Sequence, residues 1–203
     1  MPIKTCIISL AVLGLVGGPA SAALICCLDE SSADLGLDGG TCYATVSVTS
    51  VGNLGGSVIT FVVTPDTTLL TPGANFGVQE FGFNYDEALT GDITITPPAG
   101  WGVTEDANIS AFGVFDEDLA GTGGNRQPVL NFTVHTENPV GASAFFVRNE
   151  AGYTFVAHIA GFEELNRSTS AFFAGTCQVP EPATLALIGA GLAGLALVRR
   201  KRG

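Results

Sequence analysis

The chain has 203 residues, 19 acidic and eight basic side chains, a net charge of −11 and 46% hydrophobic residues. All the acids fall between residues 23 and 182, against only Arg126, Arg148 and Arg167, so this stretch balances at −16. Such a surface repels nucleic acid and anionic lipid, and its patterned Val, Ile, Leu and Phe content excludes a disordered chain.

Met1 to Ala22 reads as an export signal: Lys4, an apolar run from Cys6 to Val16, then Ala20-Ser21-Ala22. An A-x-A site of this kind predicts cleavage between Ala22 and Ala23 by a signal peptidase, after passage through the export machinery. Cys26 is preceded by Ile25, where a lipid-modified cysteine would need a small residue.

Removing Cys6 with the signal leaves Cys26, Cys27, Cys42 and Cys177. An even number in an exported domain predicts two disulfides. A bond between adjacent cysteines is strained, so one of Cys26 and Cys27 is expected to bond Cys42 and the other Cys177. The shorter loop would contribute about 3 kcal/mol and the longer about 5 kcal/mol by chain entropy. A zinc site lacks both a C-x-x-C pair and a nearby His.

Residues 23–178 suit a single domain with its own core. Residues 29–41 read as a polar, Gly-rich loop. Alternation predicts a strand over Tyr43–Val51 and, after Gly52-Asn53-Leu54-Gly55-Gly56, a return over Ser57–Thr64. Further strands are expected at Phe76–Tyr85, Asp92–Thr96, Ala111–Phe115, Val129–His135, Ala144–Arg148, Tyr153–Ala160 and Ser170–Phe173. No internal window has helical periodicity. About nine or ten short strands with Gly and Pro turns predict an all-β fold, an antiparallel β-sandwich.

Two stretches echo each other with one gap, Phe81 to Gly91 (F-G-F-N-Y-D-E-A-L-T-G) and Phe112 to Gly121 (F-G-V-F-D-E-D-L-A-G), each an aromatic strand expected to leave into an acidic turn ending in Gly. In the second, Asp116, Glu117 and Asp118 are candidates for a weak Ca²⁺ site, since hard cations take carboxylate oxygens. Their spacing departs from the EF-hand loop, and solvated turn charges are the leading reading, ahead of a calcium site. No other metal or cofactor is expected. His135 is expected to face solvent, and His158 the face opposite Phe155, Ala157 and Ile159. Trp101, Tyr43, Tyr85 and Tyr153 read as core or rim, with a sugar-stacking face as the alternative. With no G-x-S-x-G elbow, no free thiol and no placed carboxylate pair, no catalytic residue is expected and the chain does not read as an enzyme.

The chain ends V-P-E-P-A-T-L-A-L-I-G-A-G-L-A-G-L-A-L-V-R-R-K-R-G, from Val179 to Gly203. Pro180 and Pro182 hold the strip around Glu181 extended. Thr184–Val198 is uncharged and as a helix would span about 22 Å, short of a full bilayer core. Arg199, Arg200, Lys201 and Arg202 then form a stop-transfer cluster that stays cytoplasmic. Gly189, Gly191 and Gly194 spell G-x-G-x-x-G, but without the preceding strand or the following acid of a dinucleotide site.

This order of Pro-Glu-Pro, short apolar helix and Arg-rich end resembles the PEP-CTERM sorting tail of exported proteins in Gram-negative bacteria. The resemblance implies an inner-membrane intermediate with its body outside the cytoplasm. It also implies recognition of the tail by an exosortase, cleavage near Pro180-Glu181-Pro182, and delivery to the cell surface or extracellular polysaccharide. The expected role is structural or interactive in the envelope or matrix. A binding module for polysaccharide, Ca²⁺ or an ice surface is the alternative, and a secreted hydrolase the third reading.

Overall fold

The computed structural model describes residues 23–37, 40–53 and 55–177. The expected signal peptide, with Ala20 and Ala22, and the expected sorting tail, with Pro180–Pro182, the helix predicted over 184–198 and Arg199–Arg202, lie outside the described residues.

Among the described residues eleven strands run in chain order: β1 (Leu24–Leu28), β2 (Glu30–Ser31), β3 (Ala44–Asn53), β4 (Gly56–Pro65), β5 (Pro72–Phe83), β6 (Ile93–Thr96), β7 (Gly102–Asn108), β8 (Val114–Ala120), β9 (Leu130–Thr136), β10 (Phe155–Leu165) and β11 (Ser168–Gly175). One sheet has the order β1-β3-β4-β9-β6 and the other β2-β11-β10-β5-β8-β7. Every named pair is antiparallel. The sandwich expected from the alternating apolar runs is therefore the observed architecture, with eleven strands rather than nine or ten.

Alternation decides what each sheet buries. In β4, Ile59, Phe61 and Val63 are fully buried while Val58, Thr60, Val62 and Thr64 take the other face. In β9 the same holds for Leu130, Phe132 and Val134. From the second sheet, Phe81, Phe83, Phe155 and Phe173 point inward. Phe61 sits at the centre, stacked on Phe132 at 4.8 Å between ring centroids and edge-on to Phe145 at 5.5 Å. Each such buried ring contributes about 1.5–3 kcal/mol.

Three expectations need correction. Ala144–Arg148 is not a strand. A 3-10 turn over Ala142–Phe145 drops Phe145 into the core instead. The preceding chain is held by Ser57, whose hydroxyl donates to Val140 O at 2.8 Å and accepts from Val140 N at 2.9 Å. Ala111–Phe115 is displaced: Ser110–Phe112 is a 3-10 turn and β8 begins at Val114. Finally, Asp116-Glu117-Asp118 is no turn but the middle of β8, where Glu117 and Asp118 are buried.

Cys26 bonds Cys177 and Cys27 bonds Cys42, each pair with Cα atoms 5.5 Å apart. The geometry of β1 explains the division. Neighbours on a strand point to opposite faces, so Cys26 turns inward and Cys27 outward. The Cys26–Cys177 bond spans 151 residues and ties β1, an edge of one sheet, to the chain just beyond β11 in the other.

Candidate functional site: a neutral face and an acidic pocket

The outer face of the five-stranded sheet is set by the register of its strands. Thr49 pairs with Thr60, Thr60 with Thr133, and Thr133 with Thr96, so four threonines form one row across β3, β4, β9 and β6. Adjacent strands lie about 4.8 Å apart, which spaces the row evenly. On one side lies the row Ser47, Val62 and Asn131; on the other Val51, Val58, His135 and Thr94. None of these residues is an Asp, Glu, Lys or Arg, and the exposed His135 is the one titratable side chain among them. The face presents hydroxyl and methyl groups together, half-buried at the centre and exposed at the edges.

The six-stranded sheet is built differently. Part of its outer face carries a second apolar cluster of Ile109, Phe112, Phe115, Val156 and Ala174. Ile109 lies so close to the sheet that a Cβ on Gly82 would come within 2.4 Å of its Cδ1 and 2.9 Å of Val156 Cγ1. Any side chain there would have to push Ile109 and Val156 aside. Beside Gly82 its partner Asp118 is 8% exposed, and its Oδ1 has no hydrogen-bond partner. Burial, then the nearby Glu80, pushes its carboxyl up to about 7. Burial also raises Glu80. On β10, His158 stacks on Phe172 at 4.3 Å, and burial with nearby Arg126 lowers its basicity.

Where β5 and β8 separate, Asn84 replaces the ladder. Asp116 N donates to its Oδ1 at 3.2 Å, and its Nδ2 donates to the carbonyls of Tyr153 and Thr154, each at 3.3 Å. Asp116 returns the contact, accepting from Tyr85 N at 3.0 Å. This clasp opens a pocket of about 410 Å³ lined by Tyr85, Glu87, Glu105, Asp106, Asp116 and Glu117. Glu117 pairs across β8–β7 with Glu105. It is 4% exposed, and its carboxyl is pushed up to about 7 by burial and then by Glu105, Asp116 and Asp106. Burial and the surrounding carboxylates raise the Tyr85 phenol to about 12. A larger cavity of about 720 Å³ near Asp116 carries both signs, with Arg148 and Glu150 in its lining.

The three calcium candidates are thus divided. Asp116 and Glu117 line the pocket, whereas Asp118 pairs with Gly82 and is not part of that lining. Among the described residues no three carboxylate, thiolate or imidazole groups converge closely enough to hold a metal ion. Tyr43 and Trp101 are buried, the Trp101 indole donating to Asn125 O at 3.0 Å. Tyr153 donates to Glu30 at 2.7 Å and Tyr85 belongs to the pocket, so the four do not form a sugar-stacking platform. Glu105 and Asp106 escaped sequence reasoning because they sit on β7, exposed along nearly its whole length.

The PEP-CTERM protein-sorting motif matches residues 178–202, beginning one residue after Cys177. No curated protein and no solved structure is measurably similar to the chain. Among the described residues no helix is long and apolar enough to cross a membrane.

Proposed function

We propose, from the premise that this chain is a secreted protein sorted through a PEP-CTERM motif, that its sandwich serves the cell envelope or extracellular matrix as a structural or interaction protein and not as a catalyst. The motif is the signal recognised by exosortase, so that protease is a partner. Processing near Pro180-Glu181-Pro182 would then release the domain from an inner-membrane intermediate toward the surface.

The observation that carries the interaction role is the row Thr49–Thr60–Thr133–Thr96 and its uncharged flanks. A strongly acidic protein repels anionic polymers. A neutral face can approach a neutral, hydroxyl-rich polymer without stripping water from a charge. Its regularly spaced hydroxyls exchange hydrogen bonds with sugar hydroxyls while the methyls cover apolar ring faces. A neutral extracellular polysaccharide is therefore the partner class.

Retention on an insoluble neutral glucan tests this, with an anionic polysaccharide as the comparison. The full chain should be held by the neutral polymer alone. Thr64→Lys with Thr96→Lys, both at exposed positions, should cut retention about tenfold or more without changing the melting temperature. Equal retention of that variant, or no retention of the wild type, contradicts the reading.

A further inference from the structure

The acidic pocket has features that a merely solvated patch lacks. Glu117 is more than nine-tenths buried, lines the pocket, and makes no hydrogen bond through its carboxyl among the described residues. Buried carboxylates are ordinarily paired or hydrogen-bonded. None of Arg126, Arg148 and Arg167 lines the pocket. Four further carboxylates do, from the one-turn α-helix Glu87–Thr90 (Glu87), β7 (Glu105, Asp106) and β8 (Asp116). What is missing is a positive charge.

The dimensions say which kind. A bare metal ion needs several oxygens drawn together at about 2.0–2.6 Å, and no such group of three exists among the described residues. One candidate ligand, Asp116, is already committed to Tyr85 N. About 410 Å³ is room for a small organic molecule. Tyr85, an aromatic residue of the kind that attracts ammonium groups, is part of the lining.

We propose that this pocket binds an organic cation, an aliphatic ammonium offered by a free polyamine or by the amino groups of a sugar polymer, with Glu117 as its buried counter-ion and Glu105 opposite. The site lies at one end of the six-stranded sheet and is independent of the neutral face, so either assignment can fail alone. A bound ammonium competes with the proton that Glu117 holds up to about 7. Binding therefore strengthens as pH rises from about 6 to 8, with Glu87, Glu105, Asp106, Asp116 and Tyr85 the other titratable groups lining the site.

The test is calorimetric titration of the oxidised full chain with spermidine, with glucosamine oligomers at equal ammonium concentration, and with CaCl₂, all at constant ionic strength. Spermidine or the oligomer should bind, the better of the two identifying the source. Glu117→Gln should weaken that binding at least about tenfold, whereas Glu163→Gln, at an exposed position, should not. A melting curve for Glu117→Gln at or above the wild type shows that the loss is not unfolding. Binding no stronger than that of sodium, or unaltered in Glu117→Gln, overturns the proposal. Tighter binding of Ca²⁺ with the same dependence on Glu117 overturns it in favour of a metal site.

Discussion

The two sheets share one core and present opposite chemistry to the outside. The five-stranded sheet offers neutral rows of threonine, serine and valine. The six-stranded sheet roofs part of its outer face with Ile109 and Phe112, and carries Glu80, Asp118 and the Glu117 pocket. Charge that keeps an exported domain soluble can be placed anywhere on its surface. Here it is kept off one whole face, while on the other sheet burial, and then neighbouring carboxyls, let Glu117 and Asp118 hold protons to about 7. That asymmetry teaches where to look for partners: a broad neutral one on one sheet and a compact cationic one at the end of the other.

The comparison can be broken first at the link between the sheets. Cys26→Ser with Cys177→Ser removes a cross-link of 151 residues and should cost about 5 kcal/mol in urea unfolding, by chain entropy. Cys27→Ser with Cys42→Ser removes a cross-link of only 15 residues and should cost about 3 kcal/mol. Equal losses would mean that Cys26–Cys177 does not pin the two sheets in the way described.

Next comes the roof. Gly82→Ala puts a methyl against Ile109 and Val156 and should cost about 1–3 kcal/mol. Hydrogen exchange should speed up in residues 109–115 and hold steady in β3 and β4. Faster exchange in both sheets would remove the distinction between the roofed and the open face.

The smallest effect concerns protons. Asp118 and Glu117 bind a proton more tightly folded than unfolded. Stability is therefore greatest below their unfolded values near 4, falls as pH rises toward about 7, and levels off beyond. Asp118→Asn should stabilise the protein by about 1–2 kcal/mol at pH 8 and leave it unchanged at pH 4. A gain of the same size at both pH values would show that ionisation is not the cause.

How much of this was legible follows from what each signal depends on. The alternation in Thr45-Val46-Ser47-Val48 and Leu130-Asn131-Phe132-Thr133-Val134 is local, so the sandwich could be read directly. The threonine row could not, because Thr49, Thr60, Thr133 and Thr96 become neighbours only through register between distant strands. The strand β7, Gly-Val-Thr-Glu-Asp-Ala-Asn, lies at a sheet edge with little to bury and has no apolar rhythm to reveal it. Ala144–Phe145 misled for the opposite reason: a short apolar run looks the same whether it pairs or merely plugs a core. Asp116-Glu117-Asp118 read as a turn because three acids are rarely buried in a strand. The departure of Glu117 from that rule is what marks the pocket.

The measurement that bears most directly on the central claim is the intact mass of the protein from its native host, taken after membrane fractionation. The account predicts a chain that starts at Ala23, ends near Pro180-Glu181-Pro182, carries two disulfides and lies outside the inner membrane. A mature chain still ending at Gly203 and held in the inner membrane would contradict it.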